Sequence, residues 1–144
     1  ARLQGADMRS INLKGTELSG AAIRGANLIR ARLDEASATA SFFSGSDMYK
    51  VTMTGARMEH VDFGGARMNL AKMTGVELFA VTFGGARLLG ADLQRTPLTS
   101  EGMILTGAED FLFISDLSGV RYDSHTQWPE GFTPPPSSVQ IGGN

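Results

Sequence analysis

One feature constrains the fold of this chain more than any other: every fifth residue from Leu3 to Leu98 is apolar, at all 20 successive positions. With 42% hydrophobic residues overall, chance gives such a run with a probability on the order of 10⁻⁸. Two places before each of these residues, the sequence has 11 Ala, 4 Val, 2 Ser, 2 Thr and 1 Ile. Glycine recurs two places after them. The repeating unit is therefore small-x-large-x-Gly.

A period of five fits neither regular helix nor continuous strand. Five α-helical steps leave a rotation of about 140° per repeat, so the large residues would spread around the helix. In a straight strand, five is an odd number, and every second large residue would point to the opposite face. The period therefore predicts a backbone that turns a corner once per repeat, with glycine at the bend.

A second and longer period, four times the first, indicates four corners per coil. The segment Val61-Asp-Phe-Gly-Gly-Ala-Arg-Met68 recurs as Val81-Thr-Phe-Gly-Gly-Ala-Arg-Leu88, and residues 41–48 form a looser copy. Stacked coils would place Phe43, Phe63 and Phe83 above one another as an interior aromatic column. At a strand spacing of about 4.8 Å, five coils give a rod about 25 Å long.

The repeat resembles the pentapeptide-repeat proteins, as seen in Ala26-Asn27-Leu28, Ala66-Arg67-Met68 and Ala91-Asp92-Leu93. The resemblance implies an all-β fold for residues 1 to about 103: a right-handed quadrilateral β-helix, a solenoid of about five coils with four pentapeptides each. The segment Tyr122-Asp-Ser-His-Thr-Gln-Trp-Pro-Glu-Gly-Phe132 is similar to the endings of bacterial, especially cyanobacterial, members of that family.

The repeat register fails after Leu98 and returns with Ser115 and Leu117. We therefore predict a β-helix over residues 1–122 with a register slip or loop at 99–110, a cap over 123–133 and a flexible Pro-rich tail over 134–144. A solenoid needs atypical terminal residues to cover its last coil. The predicted cap residues are Phe111, Phe113, Trp128 and Phe132.

The sequence enters the repeat in register at its first residues, without a capping segment. An uncapped coil presents apolar side chains and unpaired strand edges to water. Two expectations follow: either an upstream domain precedes Ala1, or this end associates with a partner or with a second copy of the chain.

Reactive constellations are missing from the sequence. There is no cysteine, and the two histidines, His60 and His125, lie in separate contexts, which does not suit a metal site. No nucleophile-elbow motif is present, and the glycines follow the repeat rather than a phosphate-binding loop. All seven methionines occupy the large inward position, where Met is a flexible filler of core gaps. We predict no enzyme activity, no cofactor and no metal.

Function is therefore expected on an outer face. The face with Met8, Leu28, Met48, Met68 and Leu88 inside exposes an apolar stripe with an excess of arginine and lysine beside it. A connected stripe of this kind suggests a protein interface, although scattered exposed apolar residues also occur without a function. The stripe consists of Ile29, Tyr49, Leu70 and Leu89. The leading hypothesis is a non-catalytic scaffold that binds a protein partner through this face.

The alternative comes from the family, because some pentapeptide-repeat proteins inhibit DNA gyrase, a type II topoisomerase, by resembling duplex DNA. Residues 1–100 carry 12 basic and 9 acidic side chains, and the remainder carries one Arg and six acids. A DNA mimic needs its negative charge along the rod, whereas here it lies at one end. The small net charge of −2 also predicts no direct nucleic-acid binding.

No apolar run approaches the roughly 18 residues of a membrane span, and the first residues are too polar for a signal peptide. The sequence predicts a soluble protein. It is compatible with the cytoplasm and, if the N-terminus is processed, with an exported or lumenal location.

Overall fold

The computed structural model describes residues 2–94, 115–116, 119–128 and 139–141, and no helix occurs in these ranges. The chain winds as a four-sided tube in which each outward residue pairs in parallel with the residue four repeats later. Arg2 pairs with Ala22, and Asp7 pairs with Asn27. One coil therefore takes four repeats, as the two sequence periods predict.

Most of these pairings are single bridges, and short strands form where two or three residues pair in succession. The first three strands form one parallel sheet in the order β1-β2-β3, and the other four form two parallel pairs, β4 with β5 and β6 with β7. The strands are β1 (Ser37–Thr39), β2 (Arg57–Glu59), β3 (Glu77–Phe79), β4 (Val81–Thr82), β5 (Ser115–Asp116), β6 (Arg121–Tyr122) and β7 (Val139–Gln140).

Each side of the tube is named by its outward column, the residues that stack above one another at the middle of that side. Face 1 has Arg2, Ala22, Phe42, Asp62, Thr82 and Asp116; face 2 has Asp7, Asn27, Asp47, Arg67, Arg87, Arg121 and Val139; face 3 has Asn12, Arg32, Thr52, Lys72, Asp92 and Gln127; face 4 has Glu17, Ser37, Arg57 and Glu77.

The corners depend on a left-handed backbone conformation at the fifth residue of each repeat. All of these residues from Gly5 to Gly90 have positive φ, and eight of them are not glycine. Most corners are closed by a hydrogen bond across the turn, as from Ala6 N to the Leu3 carbonyl oxygen (3.1 Å). Positive φ at the third residue alone is the signature of a type II turn, which explains the recurrent glycine.

The lumen is filled by the two inward residues of each repeat. The rings of Phe43 and Phe63 stack with centroids 5.3 Å apart, and those of Phe63 and Phe83 stack at the same distance. All three side chains are fully buried. The small residues two places earlier are buried as well from Ala21 onward. Alternating small and large side chains therefore fill the interior.

The pairing interval lengthens after the fifth coil. Thr82 pairs with Asp116, Arg87 with Arg121 and Asp92 with Gln127. The first two intervals are 34 residues and the third is 35, instead of the regular 20. The chain therefore inserts extra residues between these coils before the winding resumes. The predicted slip or loop at 99–110 lies outside the described residues.

The C-terminal boundaries differ from the prediction. The β-helix continues through Gln127, so residue 122 lies within the sixth coil rather than at its end. Val139 N donates to the Val120 carbonyl oxygen and Ile141 N to that of Tyr122, both at 2.7 Å. Within the predicted tail over 134–144, strand β7 pairs with the open edge of β6.

Candidate protein-binding face

Face 2 presents two parallel columns of side chains. Residues two places apart project to the same side of a strand, as the ion pair between Asp7 and Arg9 illustrates with its Oδ2–Nη2 distance of 2.7 Å. The second column thus lies beside the first and faces the same way. The second column consists of Arg9, Ile29, Tyr49, Asn69, Leu89 and Asp123.

Three of the four predicted interface residues, Ile29, Tyr49 and Leu89, share this second column. Leu70 belongs instead to the adjacent corner column, one residue beyond Asn69. Tyr49 and Leu70 are 36% and 43% exposed, which makes them two of the three large apolar residues with such exposure in the described chain, whereas Ile29 and Leu89 are half-buried. The four residues form one apolar region across the middle of the face.

Side-chain oxygens of both columns fix the backbone of the second. Asn27 Oδ1 accepts a hydrogen bond from Ile29 N (3.2 Å), and Asp47 Oδ1 accepts one from Tyr49 N (3.3 Å). Asn69 Oδ1 reaches the next coil and accepts from Leu89 N (3.1 Å). These local contacts, typical of Asn and Asp at turns, hold the apolar side chains at defined places on a rigid sheet.

The corner beside this second column keeps side chains where glycine suits the backbone best. Ser10, Arg30, Lys50 and Leu70 have φ values of 57°, 59°, 57° and 59°, and only Gly90 is a glycine. A Cβ in the left-handed region costs about 1–2 kcal/mol per residue. Positive φ at residues other than glycine also occurs at Glu35, Ala40, His60 and Ala80, but large side chains at three successive levels occur only at this corner among the described residues, and backbone strain is common at functional sites.

The corner that follows face 1 shows the opposite choice. All six of its levels are glycine with φ between 64° and 72°: Gly5, Gly25, Gly45, Gly65, Gly85 and Gly119. The sequence pattern indicates bare backbone here, as either an easy corner or a place of close approach. The same turn is therefore made with glycine on one side of face 2 and with large side chains on the other.

Leu70 owes its position to the glycine above it. A Cβ on Gly90 would lie 2.5 Å from Leu70 Cδ2, so the Leu70 side chain covers the backbone of the next coil. Gly90 N also donates to Asp123 Oδ1 (3.0 Å). The sixth coil thereby anchors the upper end of the apolar region.

Arginine dominates the C-terminal half of the first column. Arg67, Arg87 and Arg121 stack on three successive coils, and no ion pair links any of them to another described residue. Arg87 Nε is buried and lacks a hydrogen-bond partner within the described ranges. Like charges directly opposite one another destabilise a sheet, so this column is poised to receive negative charge.

Asp123 is held in its charged form. Burial acts to raise the pKa of this carboxyl, but hydrogen bonds from the backbone N–H groups of Gly90 and His125 and from the Thr126 hydroxyl outweigh it. The pKa therefore lies below its ordinary value. At neutral pH the residue is a fixed negative charge at the end of the second column.

The histidines lie apart from each other. His60 is exposed and its ring contacts that of Phe79, with centroids 5.3 Å apart, while the side chain of His125 is 84% exposed. Among the described residues, no group of three or more His, Asp or Glu side chains is arranged to hold a metal.

Of the predicted cap residues, only Trp128 lies within the described ranges. It is half-buried, packs against the core and meets Tyr122 edge-on, with centroids 5.5 Å apart. The predictions for Phe111, Phe113 and Phe132 lie outside those ranges. No helix in the described part of the chain has the length and apolar character of a membrane span.

The family model described as Pentapeptide repeats matches residues 1–28 and 26–65, with eight copies of the repeat. Residues 1–65 are pentapeptide repeats. Among solved structures, the pentapeptide-repeat protein Rfr23 from the cyanobacterium Cyanothece 51142 is similar at 17% identity, with a TM-score of 0.70, over 86% of this chain and 88% of the other. The predicted right-handed quadrilateral β-helix is thereby confirmed.

Two further structures of pentapeptide-repeat proteins are more distant. HetL from Nostoc sp. strain PCC 7120, involved in heterocyst differentiation regulation, has 14% identity and a TM-score of 0.39, over 85% of this chain and 73% of that one. A protein from the Arabidopsis thaliana thylakoid lumen has 20% identity and a TM-score of 0.36, over 85% and 68%. No curated protein matches the sequence.

Proposed function

We propose that this protein is a non-catalytic interaction module that binds another protein through face 2. One observation carries the proposal. Arg30, Lys50 and Leu70 occupy the positive-φ corner that follows this face, while all six levels of the corner that follows face 1 are glycine. Since the turn itself favours glycine, these side chains are retained for what they contact.

The composition of the face supports the same function. Tyr49 is an amphipathic aromatic at the centre, and arginines lie on the first column beside it. Tyrosine and arginine are enriched among the residues that contribute most to protein interfaces. Because the backbone beneath them is rigid, little conformational entropy is lost on binding, and this favours affinity.

The distribution of acids does not favour the alternative, a DNA-mimicking inhibitor of DNA gyrase. In no outward column of the described coils do acidic residues occupy two successive levels. Duplex DNA carries one negative charge per about 1.7 Å of axis, and a mimic needs a comparable row. We therefore expect purified protein to leave gyrase supercoiling unchanged; inhibition at low micromolar concentration would restore the alternative.

The proposed function is tested by paired substitutions on two faces. Tyr49→Asp combined with Leu89→Asp places two charges in the apolar region, and we expect proteins captured from the source cell by the wild-type chain to be lost. The matched control is Lys72→Asp, which adds a carboxylate to the exposed part of face 3 and should retain them. Capture that is equal for both variants would contradict the assignment to face 2, provided that circular dichroism shows both to be folded.

A further inference from the structure

The first column of face 2 changes its charge midway along the rod. Its first six levels read Asp7, Asn27, Asp47, Arg67, Arg87 and Arg121, and Val139 of strand β7 lies beyond them, above Arg121. Suppose that the same column of a second copy lies against it and runs in the opposite direction. The first level then meets the sixth, the second meets the fifth and the third meets the fourth. Asp7 then faces Arg121, Asn27 faces Arg87 and Asp47 faces Arg67. Both acids face an arginine, and the amide faces the third.

The second column has the same reversed complementarity. Its first and sixth members are Arg9 and Asp123, which carry opposite charges. Its second and fifth members are the apolar Ile29 and Leu89. At the centre, Tyr49 faces the amide of Asn69, which can exchange a hydrogen bond with the phenol. Each of the two columns is therefore complementary to a reversed copy of itself.

Size is matched as well as charge at one level of the corner column. Reversal places the side chain of Arg30 over Gly90, which has no side chain.

We propose that the partner of face 2 is a second copy of this chain, bound antiparallel about a two-fold axis that passes between the third and fourth coils. An axis that lies in the interface and crosses the rod at right angles keeps each column opposite itself. A two-fold interface uses the same patch on both subunits, which is the condition that these columns meet. This inference rests on the proposed function of face 2 and names the partner.

A copy of the chain fits this face better than a uniformly acidic partner. Such a partner would suit Arg67, Arg87 and Arg121 but would meet Asp7 and Asp47 with like charge. The reversed copy satisfies both halves of the column. Arg30 and Lys50 emerge at the corner, on the rim of the interface, where solvent and salt screen their charges.

The dimensions of the face indicate a reversible dimer. Six levels spaced about 4.8 Å apart span about 24 Å, and the described surface is narrow, so the buried area lies near the lower end of specific interfaces, about 1,000 Å² in total. We expect a monomer–dimer equilibrium that shifts with protein concentration and weakens as salt is raised.

The experiment uses the full chain and two charge-reversal variants at the centre of the interface. Asp47→Arg places two arginines opposite each other in a homodimer, and Arg67→Asp places two aspartates opposite each other. Each should weaken homodimerisation about tenfold or more, because like charges across an interface are costly. In an equimolar mixture, Arg faces Asp at both contacts, so the heterodimer should recover the affinity of the wild type.

Sedimentation velocity over a wide concentration range measures these equilibria. Lys72→Asp on face 3 is the matched control and should dimerise like the wild type. Where Asp47→Arg alters the circular dichroism spectrum, the mixture of Asn27→Arg with Arg87→Asp repeats the test at the second and fifth levels. Dimerisation that is weak for each variant alone but recovers in their mixture supports the antiparallel dimer, because mixing does not change the fold of either chain.

A wild-type chain that stays monomeric at high concentration would overturn the dimer, and so would a mixture no tighter than its components. These results are separable from failure of the proposed function. If the chain is monomeric but Tyr49→Asp with Leu89→Asp still loses its captured proteins, face 2 binds a different partner. If the dimer forms through these contacts but capture is unaffected, the external partner binds elsewhere.

Discussion

The two corners that flank face 2 make the same turn with opposite residue types. At the corner after face 1, all six levels are glycine, while at the corner after face 2 four of five levels carry side chains at φ values of 57–59°. The inward residues on the two sides are equally buried. The repeat therefore determines the interior everywhere, whereas the corner residues differ with what each edge presents to its surroundings.

This difference separates the requirements of folding from those of binding. The turn needs a positive φ, and glycine meets it without steric cost. Retaining Ser10, Arg30, Lys50 and Leu70 lowers the stability of the coil, at about 1–2 kcal/mol for each left-handed residue. Substitutions at interior and corner positions can test whether the two edges differ in this way.

The largest loss of stability is expected for substitutions in the lumen, where the residues behind face 1 and face 2 should behave alike. Phe63→Ala behind face 1 should lower the free energy of unfolding by about 3–5 kcal/mol, and Met68→Ala behind face 2 by about 2–5 kcal/mol, because both leave a cavity in a fully buried column. Urea denaturation followed by circular dichroism measures both. A loss below about 1 kcal/mol for either variant would be inconsistent with the packed lumen.

The interior was predictable because a single requirement, burial of every fifth residue, acts on each repeat. Phe43, Phe63 and Phe83 are placed by the longer period alone. The outer surface has no such requirement, so sequence reasoning grouped Leu70 with Ile29, Tyr49 and Leu89 although it lies in the corner column. Its side chain covers Gly90, a contact between coils that the period does not encode.

The C-terminal region was less predictable for a related reason. The long interval between Arg87 and Arg121 interrupts the repeat, and no periodic signal indicates where pairing resumes. Strand β7 consists of two residues, both exposed, whose pairing depends on the free edge of β6 rather than on burial. A composition rich in proline and glycine therefore predicted a tail where residues 139–141 are paired.

The next effect concerns the all-glycine corner. Gly65→Ala adds a methyl group that meets no atom within 4 Å, so its effect is conformational alone. We expect the free energy of unfolding to fall by about 1 kcal/mol, since φ at this position is 67°. Urea denaturation provides the measurement, and unchanged stability would show that these corners do not require glycine.

The reverse substitution should have a smaller effect of opposite sign. Arg30→Gly removes an exposed side chain held at a φ of 59°, and we expect the chain to become more stable by about 0.5–1 kcal/mol. Gly65→Ala is its matched counterpart on the other edge. If Arg30→Gly destabilised the fold, the side chain would be structural, and the argument for binding from strained corners would be wrong.

The smallest effect concerns acid pH at the end of the second column. The pKa of Asp123 is lower in the folded chain than its ordinary value, so its contribution is present above the unfolded value and is lost as pH falls through the folded value. We expect stability to decline below about pH 4. Asp123→Asn should make this decline less steep, as measured by urea denaturation across acid pH; an identical decline would assign it to other carboxyls.

Hydroxyl-radical footprinting tests most directly whether face 2 is the contact surface. The wild-type chain is labelled at low and at high concentration, and oxidation is compared at Tyr49 and Leu70 on this side and at Phe42 and Phe79 on faces 1 and 4. We predict that oxidation of Tyr49 and Leu70 falls as concentration rises while that of the two phenylalanines is unchanged. Equal oxidation of all four residues at both concentrations, or protection confined to the phenylalanines, would contradict the account.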